Sequence, residues 1–196
     1  GQRCMNWYPE RIESEQAKSP IVLYPTPGLS TFCTLAGPSV RVAFTIDARC
    51  FAVSGTQFYE VFSDGTFTSR GVVADDGQAA SISAGPTQLL VISGGVAYSY
   101  NLATNVLALV VGMLGTPSMA GFTDGYFLAL LATSNQFQIS ALLDATTWDA
   151  ADTAKISVFP GNLSAMLIDH REVWFFGGKA IQVYYDSGNP DFPFEP

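Results

Sequence analysis

The sequence has a single histidine, His170, three cysteines without CxxC spacing (Cys4, Cys33 and Cys50), and nine basic residues scattered without a run. Each shortage excludes something. One histidine rules out a metal site built on two or more histidines of this chain. An odd, dispersed set of cysteines writes neither a disulfide framework nor a zinc site, so all three read as reduced, small apolar side chains. Without clustered Lys and Arg there is no patch to grip phosphates, and specific DNA binding is not expected. The longest apolar runs, VLALVVGML at 106–114 and YFLALLA at 126–132, fall short of the about 20 residues that a bilayer-spanning helix needs. No charged leader with a cleavage site precedes them, so the chain reads as soluble and unsecreted, and its start on Gly1 points to a processed or excised piece. Catalytic signatures are as scarce. There is no GxSxG and no HExxH, and the Gly94-Gly95 and Gly177-Gly178 pairs are followed neither by a helix pattern nor by Lys-Ser/Thr. Adjacent Asp75 and Asp76 sit in a Gly-flanked turn where neighbouring carboxylates face apart, and DHRE at 169–172 reads as a charged turn. The expectation is a protein that is not an enzyme and carries neither cofactor nor metal.

What is present is apolar and turn-rich. Of 196 residues 48% are hydrophobic and only 13% charged, with 18 Gly, 11 Pro, 14 Phe and 8 Tyr. That balance suits short strands joined by tight turns, and the chain is long enough to bury a core without staples. The net charge is −8, which would repel a nucleic acid sliding past rather than hold it.

The turns hide a repeat. FAVSGTQFYEVF (51–62), LLVISGGVAYSY (89–100), LALLATSNQFQIS (128–140) and VWFFGGKAIQVYY (173–185) each read as apolar strand, small-residue turn, aromatic-bearing strand. Their turns centre on Gly55, Gly94, Asn135 and Gly177, at steps of 39, 41 and 42 residues. Flanking strands bring each unit to about four, the composition of a β-propeller blade. The expected fold is therefore an all-β, propeller-like array of antiparallel blades over 39–196, belonging to a larger propeller. Its units span about 40–73, 79–112, 117–159 and 163–196, the last lacking its fourth strand. A β-sandwich is the alternative, although it leaves the period near forty without a cause. Gly55, Gly65, Gly94, Gly125 and Gly177 are read as turn formers. LLDATTWDAADTA (142–154) is read as an inserted loop or short helical turn, with Trp148 either a partner contact or packed on its own blade. Residues 1–38 stand outside the period. Five prolines and YPTPGL at 24–29 make them an extended arm, whose Trp7, Tyr8, Pro9, Tyr24 and Pro25 are candidate contacts with another copy or with the first blade.

QRCMNWYPE (2–10) followed by SPIVLYPTPGLSTF (19–32) resembles the start of the packaged-DNA stabilisation proteins of short-tailed bacteriophages, also described as tail hub or nozzle proteins. Both segments occur here in the family's order, ahead of β repeats. The resemblance implies a structural virion protein, made in the host cytoplasm, that assembles as a ring of six copies and closes the portal channel so that packaged DNA stays inside. Implied partners are the portal-adaptor ring, the tail needle or plug, and tailspikes or fibres. This chain departs from the family in being shorter than its members. Two other readings fit a propeller: a glycan- or protein-binding module, and a hydrolase supported only by Asp-rich loops.

Overall fold

The computed structural model describes residues 6–13, 20–156 and 161–196. The chain forms two units, Gly1–Thr34 and Leu35–Pro196. In the first, β1 (Trp7–Arg11) and β2 (Ile21–Pro25) pair antiparallel, with Trp7 opposite Pro25, Tyr8 opposite Tyr24 and Pro9 opposite Leu23. The extended arm is thus a hairpin, a correction to the sequence reading, and the boundary falls at Thr34 rather than at residue 38. Prolines do not prevent the pairing because a two-stranded ribbon has only edge strands, where Pro can leave its missing donor on the open side.

The second unit contains four four-stranded antiparallel sheets. The first is β3 (Val40–Ile46), β4 (Arg49–Ser54), β5 (Gln57–Val61) and β6 (Phe67–Val72). The second is β7 (Ser81–Ala84), β8 (Gln88–Ser93), β9 (Val96–Asn101) and β10 (Val106–Leu109). The third is β11 (Pro117–Thr123), β12 (Tyr126–Leu131), β13 (Gln136–Ala141) and β14 (Asp144–Lys155). The fourth is β15 (Leu163–Asp169), β16 (Glu172–Gly177), β17 (Ile181–Asp186) and β18 (Phe194–Glu195). Strands neighbour one another in chain order within each sheet, the meander of a propeller blade.

Two expectations change. The fourth unit is not incomplete, since β18 adds a two-residue fourth strand, with Glu195 opposite Tyr185 and Phe194 opposite Asp186. Residues 144–155 form neither loop nor helix but β14, whose pairing with β13 slips twice, between Gln138 and Ser140 and between Ser140 and Ala141. Extra residues enter as bulges, which keep strand character while bending the edge. The sequence also offers KISVF at 155–159 as a strand, and its residues 157–159 lie outside the described ones.

Strand alternation explains the core. In β8, Leu89 and Val91 join a cluster with Phe51, Val53 and Phe58 of the first blade, whereas Leu90 and Ile92 join one with Phe127 and Ala129 of the third. Likewise Leu128 and Leu130 face Val173 and Phe175 across the third cluster, between blades three and four. A central strand buried on both faces must be apolar at every position, as LLVI and FLALL are. Gly121 sits where a Cβ would lie 2.5 Å from Ile168 Cδ1, so the first strands of neighbouring blades approach closely. Among the described residues no apolar cluster joins the fourth blade to the first, so this propeller-like row does not close on itself.

Candidate interaction surfaces

Several charged residues of the blades hold neighbouring blades together. Buried Glu60 accepts from Arg49 Nε at 2.7 Å and from Arg70 Nε at 2.8 Å. Arg49 reaches the second blade, donating to Leu102 O and Asn105 Oδ1, and its guanidinium lies 5.0 Å from the centre of the Phe51 ring. The hydrogen bond from Arg49, then that from Arg70, holds the Glu60 carboxyl below its usual range in spite of burial, while burial pushes the Tyr100 hydroxyl up. Beside this latch lies a groove of about 270 Å³ bordered by Ile46, Asp47, Arg49, Pro86, Thr87 and Leu102. Its one cationic group, Arg49, is already engaged.

At Gly55, Arg41 donates to Gly55 O, Ala74 O and Ser93 Oγ, clamping the link between blades one and two. Asp75 and Asp76, read as solvated turn acids, lie 3.3 and 3.7 Å from that same guanidinium. Gln138 does a similar task one interface on: its amide accepts from Leu114 N–H and donates to Gly112 O and Asp149 O. Polar residues in mid-strand were the available signal for these clamps, but their partners are 10 to 56 positions away and sequence periodicity does not show them. Among the described residues, no group of three or more His, Cys, Asp and Glu side chains is placed to hold a metal ion. His170 is solvent-exposed, and Asp169, 2.8 Å from Nδ1, raises its pKa above 6.5.

The expected contact residues separate into two groups. Trp7, Tyr8, Pro9, Tyr24 and Pro25 are all exposed on the hairpin, with the Tyr8 and Tyr24 rings stacked at 5.9 Å. Trp148, by contrast, is no surface contact. It is buried with Leu90, Phe127 and Ala129, and its indole N–H donates to Ala145 O at 2.8 Å. The bulges in β14 turn this ring inward, and the hydrogen bond satisfies the one polar group it carries.

Among the turn glycines, Gly94 and Gly95 have φ of 58° and 72°, and Asp124 and Gly125 have 50° and 89°, as two-residue hairpin turns require. Gly55 and Gly65 are also left-handed. Gly65 belongs to a longer loop in which its N–H reaches Phe62 O. Gly177 is no turn residue: it ends β16, and the turn follows it.

The two ends of the blade row differ. On the outer side of the first blade, Tyr59 and Val61 are only 5% and 7% exposed. The segment entering this unit lies there: Ala36 O accepts from the Tyr59 hydroxyl, and a Cβ on Gly37 would touch Ser54 Oγ at 2.8 Å. On the outer side of the fourth blade, Leu167 and Ile181 are each 55% exposed, beside half-buried Trp174, Phe176 and Val183. Sequence reading passed over this face, although Trp174 and Phe176 alternate with Val173 and Phe175 just as residues of the doubly buried strands do.

The four blade-like sheets and their interblade clusters define a β-propeller-like protein. The chain matches, over residues 5–196, the family described as "Bacteriophage P22 Gp10, beta-propeller", and it belongs to that phage packaged-DNA stabilisation family. Membership makes it a structural protein of the virion. No curated protein matches the chain by sequence. Solved structures share its fold at low identity. The computationally designed Ika4 protein is similar with a TM-score of 0.57 and 8% identity, over 81% of this chain and 99% of that one. The Hsv2 protein of Kluyvelomyces marxianus gives 0.56 and 8%, over 86% and 50%, and the Pan2 WD40 domain of Neurospora crassa gives 0.52 and 10%, over 74% and 47%. The chain spans about half the length of these last two.

Proposed function

We propose that this chain serves as a hub or nozzle part of a short phage tail, closing the portal channel after packaging and retaining DNA by obstruction. The family match over residues 5–196 carries the reading. Two features support it. Several polar side chains, Arg41, Arg49 and Gln138 among them, serve as interblade clamps, and the net charge of −8 gives a wall that does not adhere to a duplex. Copies made in the host cytoplasm would assemble as a ring of six, with the adaptor ring, needle or plug and tailspikes as neighbours. The test is a phage lacking this gene. Its heads are expected to fill and then leak, read as nuclease-sensitive genome in purified particles. Mutant heads that keep their DNA as wild-type ones do would overturn the proposal.

A further inference from the structure

The outermost strand of a blade leaves a row of backbone N–H and C=O groups unpaired, and such an edge joins other chains unless something blunts it. Three of the four outer strands here are blunted. β6 carries Arg70 as the extra residue of a bulge, between Ser69 opposite Tyr59 and Gly71 opposite Phe58. β14 carries Asp144, Asp149, Asp152 and Lys155 and slips twice against β13. β18 is two residues long. β10 has none of these devices. From Val106 to Leu114 the sequence VLALVVGML holds no charge and no proline, and the pairing with β9 runs without a slip. Val106, Leu109 and Val111 are 56%, 60% and 70% exposed. β10 ends its sheet on the side away from β7, the inner strand that contacts β3 and β11 of the neighbouring blades. Its edge therefore looks outward from the row, where a further blade would not cover it.

Hydrogen-bond phase fixes which groups are free. Val110 N–H donates to Ala97 O across the β9–β10 ladder, and Leu102 N–H donates to Thr87 O on the other side of β9. Bonded and non-bonded pairs alternate along an antiparallel ladder. Val106, Ala108 and Val110 thus bond β9, while Leu107 and Leu109 turn their N–H and C=O outward, where no strand among the described residues meets them. Val106-Leu107-Ala108-Leu109-Val110 also reads the same in both directions. Two copies set antiparallel about Ala108 pair Leu107 with Leu109 twice, through the outward groups of all four residues, and Val106 with Val110. Ala108 then faces its counterpart in a non-hydrogen-bonded pair, where backbones approach to about 4.5 Å and a small side chain fits.

We infer that β10 is a self-pairing edge: two copies of this chain join their second blades into one continuous sheet, antiparallel and centred on Ala108. A two-fold contact closes after two copies, so it is distinct from the contact that would build a ring of six and does not rest on that reading. Two short strands bury less than the about 1,200–2,000 Å² of a stable interface. The pair is accordingly weak, filled at high concentration and opened by dilution.

Site-directed cross-linking tests the register. Ala108→Cys places two thiols across the two-fold axis, within the about 4.4–6.8 Å Cα spacing of a disulfide. Mild oxidation should give a dimer whose cross-linked peptide joins position 108 to position 108. Leu109→Cys, two residues out of step with its counterpart, should not cross-link. The wild-type chain, with its own Cys4, Cys33 and Cys50, supplies the background. Leu109→Lys tests the edge itself, because a lysine there blunts it. Sedimentation at high concentration should show dimer for wild type and monomer for this variant, at a nearly unchanged melting temperature because Leu109 is exposed. A wild-type chain that stays monomeric overturns the inference, and so does cross-linking through position 109 in preference to 108. A six-copy species that Leu109→Lys leaves intact, with no dimer from Ala108→Cys, overturns the pairing while leaving the ring reading standing. Loss of another tail protein from particles carrying Leu109→Lys, with self-association unchanged, assigns the edge to that protein and overturns pairing between copies.

Discussion

The first and fourth blades have the same four-strand plan and opposite outer faces. One is covered by residues of its own unit, through Ala36 on Tyr59 and Gly37 on Ser54; the other leaves Leu167 and Ile181 half in water. An apolar sheet face is stabilising only when something covers it, so the two ends teach different lessons about equally apolar sequence. The covered end contributes to folding. At the other end, Leu167 and Ile181 gain little from burial within this chain.

Substitutions should separate the two roles. The largest effect is expected inside the row: Phe137→Ala removes a fully buried ring packed at 4.5 Å on Phe175 and in edge contact with Tyr184. It should cost about 3–5 kcal/mol in chemical denaturation. Glu60→Gln comes next, at about 2–3 kcal/mol, because Arg49 and Arg70 lose their shared carboxylate but can still reach water. The same group sets a pH dependence. Its folded pKa lies below the usual 4.5, so its stabilisation is complete above that value and disappears as pH falls through the folded pKa. Glu60→Gln should therefore flatten the loss of stability on acidification below about pH 4.5.

At the covered end, Gly37→Val forces a Cβ to 2.8 Å from Ser54 Oγ at φ +126°. It should cost about 1–3 kcal/mol and leave assembly of the still-folded chain unchanged. Smaller still is Trp174→Ser on the open face, at about 1 kcal/mol or less on the free chain. The smallest concerns His170, fully exposed beside Asp169: its NMR titration midpoint should lie above 6.5, and Asp169→Asn should bring it down.

Much of this fold was legible because its punctuation is chemical. Two-residue hairpin turns demand left-handed backbone, and Asp124-Gly125 and Gly94-Gly95 announce it, which is why the period near forty shows through divergent strands. The Trp148 segment was not legible, since its Asp, Thr and Ala content resembles a loop and only bulged pairing with β13 makes it a strand. Nor was the Arm hairpin, where prolines look like extended chain until the Tyr8–Tyr24 stack is seen. The candidate surface lay in plain view in VWFFGG. Its strand is apolar on both sides like LLVI, however, and whether a second side is covered is a tertiary fact that no local pattern carries.

The central claim is the proposed structural role of this chain in keeping packaged DNA inside the head. Its most direct test is the nuclease sensitivity of the genome in particles assembled without this chain, compared with wild-type particles. The proposed role predicts heads that fill and then leak. Genome as protected as in wild-type particles would contradict it.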